Sequence, residues 1–393
     1  MRRFETMEGG TVIDVSTLSD LVPVGGRVGV GDGAGWPAEL WPAVLDLARE
    51  RPDVSLLLGW FLRPPVALPL GNDSRTVISG FGLRKPIDAG QVEFVPIRLG
   101  TMPAQLGGPL RVDLLLATLA PTSGGLAFTT EVSWQRAAIA AGAKVAAVVR
   151  PDAPRCDIGP AIPSSDVVVL AEGTERPERL VPVAPTDDQH AAAERVVALI
   201  PDGARVQVGP GGLGAAIYAA IARPVAVDTG LITDPVVDLD RRGLLDGPAY
   251  APYVTGTEVL YDWASGRAHV DGVERTHHPG RLVDGRPLVA VNTALEMDYD
   301  GQVNAERGGA SAIGGIGGQP DYAAAAAISP RGLSVMVMTT LRGEEPTLVE
   351  RLQAPVTTPS HDIDIVVTER GTADLRGRTR AERRRMLQAL WGA

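Results

Sequence analysis

The chain has 393 residues, 45% hydrophobic and 21% charged, with a formal net charge of −10. This composition excludes general disorder, and the acidic balance disfavours nucleic acid or anionic lipid as a partner. A single cysteine, Cys156, excludes an internal disulfide framework and any multi-cysteine metal site.

The opening MRRFETMEGG starts basic but meets Glu5 and Glu8 without an apolar stretch, so no export signal is expected. No apolar run approaches the roughly 18 residues of a membrane span, and a cytoplasmic protein is expected. Residues 27–30 (RVGV) read as a short strand running into a glycine loop at 31–35. A helix follows, opened by Pro37 and placing Leu40, Val44, Leu47 and Ala48 on one face, with Pro42 delaying its true start. Residues 54–58 are the next buried strand. Strand, helix and strand in this order form a βαβ unit, which implies a parallel sheet covered by helices.

The second half repeats the device. Residues 166–170 (DVVVL) read as a strand, and Thr186 with Gln189 forms a capping box that opens a helix through Ile200. RVQV at 205–208 is a strand, followed by a glycine loop at 209–214, a short Ala/Ile helix and a strand at 225–227. RVGVGDG at 27 and RVQVGPG at 205 share Arg, two Val and two Gly at equivalent places, 178 residues apart. We read an internal duplication: an α/β fold of two related βαβ-type domains with parallel-rich sheets. The domains are placed at 1–180 and 181–393, divided in the Pro- and charge-rich stretch 175–186, with both glycine loops facing each other or a shared ligand.

Gly209-Pro-Gly-Gly-Leu-Gly214 is a formal G-x-G-x-x-G after a strand and before a helix, and Asp228 ends the next strand. Glycine lets backbone approach a diphosphate, and helix-end N–H groups hold the anion. Gly209, Gly211, Gly212 and Leu213 are the candidate cofactor contacts. The motif suits NAD or coenzyme A, since both carry a diphosphate; the short helix argues against NAD.

Three blocks carry a family resemblance: VQVGPGGLGAAI (206–217), LITDPVVDLDRRGLL (231–245), and a third made of NTALEMDYDGQVNAE (292–306), GIGGQPDY (315–322) and VTTPSHDIDIVVTERGTADLRGRTRAER (356–383). Together they resemble the acetyl-CoA hydrolase/transferase family, which includes acetate and 4-hydroxybutyrate CoA-transferases. The likeness runs more loosely through GGRVGVGDGAGWP and VDLLLATLAPTSGGLAF in the first half. It implies a CoA-transferase-like fold of two related α/β domains, acyl-CoA and a small carboxylic acid as partners, a homo-oligomer and no metal. It also implies a nucleophilic Glu that forms an acyl anhydride and then a glutamyl-CoA thioester. In the ungapped match that position is Gly230, which has no side chain to form the thioester. A Lys that resembles a CoA contact is likewise replaced by Leu333.

Asp228, beside Gly230, is the candidate general base, its alternative being a turn cap. Glu296 resembles a family position and is a second catalytic candidate. The glycine turn at 315–318 is expected to present N–H donors to a carbonyl, with Gly317 and Gly318 counted among the CoA contacts. His277 and His278 point apart on a strand and are not read as a metal pair. Ser123 lacks a nucleophile elbow, Cys156 beside Arg155 has no placed His partner, and the basic run 376–385 reads as a solvated or oligomer-facing helix. The leading reading is an acyl-CoA-binding enzyme that cleaves its ligand, by thioester hydrolysis or hydrolytic C–C cleavage, without a glutamyl-CoA intermediate. Three others stay open: a CoA-transferase using another carboxylate such as Asp228, a non-catalytic CoA-binding homologue, and an NAD-dependent enzyme.

Overall fold

Strands with no polar alternation belong in the middle of a parallel sheet, apolar on both faces, and RVGV obeys this. The computed structural model describes residues 15–69 and 71–392; the MRRFETMEGG stretch lies outside them. The first sheet contains β1 (Arg27–Val30), β2 (Ser55–Leu58), β3 (Ser74–Thr76), β4 (Glu93–Phe94), β5 (Leu114–Thr122), β6 (Gly125–Ala127), β7 (Lys144–Val149) and β8 (Val167–Glu172). Their order is β4-β3-β2-β1-β5-β7-β8, with β6 returning antiparallel on β5. The second half supplies β9 (Arg205–Val208), β10 (Ala226–Val227), β11 (Ala249–Ala251), β12 (Ala268–Val270) and β13 (Leu288–Thr293). Its main sheet runs β10-β9-β13 and continues through Leu333–Val337, Ile365–Thr368 and Gly371–Asp374, while β11 and β12 pair apart.

The two halves share one plan. β1 lies between β2 and β5, and β9 lies between β10 and β13, all pairs parallel. Each central strand feeds a glycine loop and then a helix that returns to the sheet. In the first half the chain after Pro37 makes a 3-10 turn, Ala38–Leu40, before the helix Trp41–Glu50 begins. Pro42 sits in the first turn of that helix, where its missing N–H costs no bond. Val44 and Leu47 are fully buried and pack with Leu56, Leu58 and Val148. Truncating Leu47 to Ala would cost about 2–5 kcal/mol.

Residues 173–186 carry no regular structure and separate β8 from the helix Asp187–Leu199. That helix starts with a complete capping box: Thr186 accepts from the Gln189 amide, and Gln189 accepts from the Thr186 amide. The halves are stitched at residues 130–133. Val254 N–H donates to Thr130 O at 2.9 Å, and Val132 N–H donates to Pro252 O at 3.2 Å. Tyr253 Oη then reaches from the second half to Asp32 Oδ2 in the first, at 2.6 Å. Among the described residues no helix is long and apolar enough to cross a membrane.

Candidate active site

The strand ends of both sheets open on one cleft of about 440 Å³, where parallel sheets generally bind ligands. The second half contributes Gln207, Gly209, Pro210, Thr229 and Gly230 from the ends of β9 and β10, and residues 292–295 from the end of β13. The turn 313–318 with Gln319 and Tyr322 closes one side. The first half contributes Trp60, residues 78–81, Arg84 and Leu99.

Gly230 stands on the wall of this cleft, and a Cβ added to it would meet nothing within 4 Å. Its backbone is not left-handed, so the position is open to a side chain. Among the described residues, no Asp, Glu, Lys, His or Cys lines the cleft; Arg84 is its one ionised side chain. Its polar groups are amides and hydroxyls instead. Gln207 pairs in register with Ala290, and Asn292 lies two residues further along β13, so both amides share one face. Gln207 Oε1, Asn292 Nδ2 and Tyr322 Oη are buried without a hydrogen-bond partner among the described residues. Leaving such atoms unmet costs about 1–3 kcal/mol each, and all three residues line the cleft.

The proposed CoA contacts divide. Gly209 lines the cleft, and neither Gly209 nor Gly211 would meet anything within 4 Å at an added Cβ. Gly211 adopts φ +108°, which glycine tolerates and branched residues do not. Gly212 and Leu213 turn inward, away from the ligand position expected for them. A Cβ on Gly212 would come 2.7 Å from Gln189 Oε1, and Leu213 joins the hydrophobic core. Gly317 and Gly318 both line the cleft, Gly317 at φ +55°. Gly318 is pinned from behind by His277, whose Nε2 lies 2.2 Å from its added Cβ. Gly314 and Gly315 are equally constrained by Ala305 O and Ser79 O. Gly314, Gly315 and Gly318 are therefore closely packed against neighbouring residues, while Gly317 is open.

The candidate acids lie elsewhere. Asp228 is 2% exposed and outside the cleft lining. Arg281 holds it with two hydrogen bonds, 2.8 and 3.0 Å, and Arg205 adds a third at 3.1 Å. The Arg281 guanidinium lies in turn 4.6 Å from the Tyr250 ring centre. Both carboxylate oxygens are thus committed to cations, an arrangement that does not suit a water-activating base. Glu296 accepts from Asn304 Nδ2 at 3.1 Å and does not line the cleft. Leu333 packs into the core and does not line the cleft. His277 is fully buried, and desolvation together with Arg281 lowers its pKa to about 3, so it stays neutral. Burial pushes the Cys156 thiol well above its ordinary value, which leaves no thiolate nucleophile there. The basic run leads into the helix Arg380–Trp391, opened by a Thr379–Glu382 capping box.

Sequence reasoning overlooked Trp60, Phe81, Gln207, Asn292 and Tyr322. Gln207 and Asn292 had a local signal, since each is a polar side chain inside a run that otherwise reads as buried strand. Phe81 had none.

A cleft between two such half-sheets, with glycine loops at the strand ends, is the architecture of the CoA-transferase fold. A 4-hydroxybutyrate CoA-transferase structure from Porphyromonas gingivalis superposes with a TM-score of 0.76 at 22% identity, over 96% of this chain and 92% of that one. RipA from Yersinia pestis superposes with a TM-score of 0.83 at 20% identity, over 95% and 92%. In sequence, residues 256–390 match the acetyl-CoA hydrolase/transferase C-terminal domain. The 4-hydroxybutyrate coenzyme A transferase of Clostridium kluyveri is 26% identical over 77% of this chain and 75% of that protein. Residues 256–390 thus carry the acetyl-CoA hydrolase/transferase C-terminal domain, and the chain as a whole shares the CoA-transferase fold.

Proposed function

We propose that the chain binds an acyl-CoA in this cleft and cleaves its thioester with water, without a covalent glutamyl-CoA intermediate. One observation carries the reading: Gly230 stands open on the wall, and the described lining contains no carboxylate. The CoA diphosphate and pantetheine lie along Gly209 and Gly211, where backbone can approach an anion closely. The backbone amides of the 315–318 turn face the thioester oxygen and stabilise the charge that develops there. The amides of Gln207 and Asn292 orient the water. Water adds to the thioester carbon and the C–S bond breaks; the products are a carboxylate, the CoA thiol and one proton.

A second reading has its own observation. No titratable base lines the described cleft, which favours acyl-CoA binding without turnover. Calorimetry with CoA, free-thiol release from a panel of acyl-CoAs, and intact mass after incubation with acyl-CoA test these together. Binding with thiol release and no mass adduct supports hydrolysis. Binding without release supports the second reading. A trapped adduct on the wild-type chain overturns both, because some carboxylate must then reach the thioester.

A further inference from the structure

Aromatic residues are 4% of the chain, yet Trp60, Phe81, Tyr253 and Tyr322 all line this one cleft. Such concentration in an aromatic-poor protein points to recognition rather than to packing at large.

The contacts run continuously from the reacting side to the mouth. Ile232 N–H, two residues after Gly230, donates to Tyr253 O at 3.0 Å. The Tyr253 ring meets Trp60 edge-on, with centres 5.4 Å apart. Phe81 then lies against Trp60 at 4.8 Å with a 33° tilt. The segment carrying Phe81 is also fastened to the glycine turn, through Ser79 Oγ donating to Gly314 O at 2.8 Å. The wall is therefore fixed to both sides of the place where the thioester would react. Phe81 holds its position at φ +46°, unusual for a bulky residue, and the residue remains 37% exposed rather than buried. The same cleft is also lined by the aliphatic Ile78, Leu99, Leu231, Leu295 and Ile316, with Arg84 its one ionised side chain.

We infer that the acyl group is a bulky, ring-bearing apolar one, and that the Trp60–Phe81 wall selects it over acetyl. The inference rests on the acyl-CoA reading above and adds the substrate class. Flat rings meet such a wall by offset or edge-on contact, geometries that a two-carbon acyl group cannot make.

The test is calorimetry on the wild type and on Phe81→Gly with CoA, and with acetyl-CoA and phenylacetyl-CoA supplied as their thioether analogues, which water cannot cleave. Glycine at 81 removes the ring and is at ease at positive φ, and thermal melting confirms that the variant is folded. On the wild type, the phenylacetyl analogue is expected to bind about tenfold more tightly than the acetyl analogue. In Phe81→Gly most of that preference is lost, with CoA itself unchanged. Phe81→Tyr, which keeps a ring, retains the preference. Equal affinity for the two analogues on the wild type overturns the inference alone. Weakened CoA binding in Phe81→Gly also overturns it, placing the adenine against the wall instead. If CoA fails to bind the wild type, the acyl-CoA reading falls, and this inference with it.

Discussion

The backbone N–H of Gly35 donates to Glu131 Oε1 at 2.8 Å. The first glycine loop thus holds a carboxylate belonging to the protein itself. A Cβ on Gly33 would come 2.3 Å from Glu131 Cγ, and one on Gly35 would come 2.7 Å from Glu131 Oε2. At the corresponding loop of the second half, Gly209 and Gly211 face open space. The duplicated device therefore serves two ends: one loop closes on an internal carboxyl group, and the other stays open toward the cleft. The chain is expected to bind one CoA, not two, which the stoichiometry of a calorimetric titration checks.

Glu131 and Asp32 are both buried and both have pKa values raised to about 7, with desolvation the main cause. A raised carboxyl pKa means the folded state holds protons that the unfolded chain has released above pH 4–5. Stability therefore falls as pH rises from that range to about 7, and the full penalty persists above it. For Glu131 the penalty is on the order of 3 kcal/mol. Glu131→Gln keeps the acceptor for Gly35 and removes the charge. It is expected to raise the melting temperature at pH 8 more than at pH 5. An equal shift at both values would mean that Glu131 titrates alike in the folded and unfolded states.

Gly230→Glu should fold, because nothing lies within 4 Å of its added Cβ. A carboxylate reaching about 3–3.5 Å from the thioester carbon could attack it. Intact mass after incubation with acyl-CoA is expected to show a CoA adduct on the variant and none on the wild type. Transfer of CoA to acetate should appear with it.

Glycines 209 and 214 should separate binding from folding. Gly209→Val projects into open cleft without backbone strain, and is expected to weaken CoA binding at least about tenfold with melting unchanged. Gly214→Ala would place its Cβ 2.1 Å from Gly209 O. That contact distorts the strand-to-helix turn and should destabilise the fold by about 1–3 kcal/mol or more. Measuring melting and CoA affinity on both variants gives the two expected signatures, and the reverse pattern would place the ligand elsewhere.

Asp228→Ala removes the carboxylate that neutralises Arg205 and Arg281. Breaking a buried pair from one side typically costs about 3–5 kcal/mol. Denaturant unfolding should show this loss, while thiol release per folded molecule stays within a few fold. A collapse of turnover in a fully stable protein would return Asp228 to the role of base.

Much of the scaffold was legible in the residues because its causes are local. RVGV and RVQV are strands in the structure at the same bounds, since an unbroken apolar run next to a glycine loop has few other solutions. The Thr186–Gln189 cap was equally plain, as two side chains three residues apart satisfy two helix-end amides. The Gly at 230 and the open loop at 209 were also visible, because a side chain's absence needs no fold to be seen. What surrounds Gly230 was not. Trp60, Phe81 and Ser79 come to the cleft from the other half of the chain, and no periodicity links them to it. Asp228 looked like a base at a strand end until Arg205 and Arg281 closed on it, the latter 53 residues away in sequence. Which charges are neutralised, and which glycines face a ligand rather than a neighbour, depends on long-range packing. Only the tertiary structure decides it.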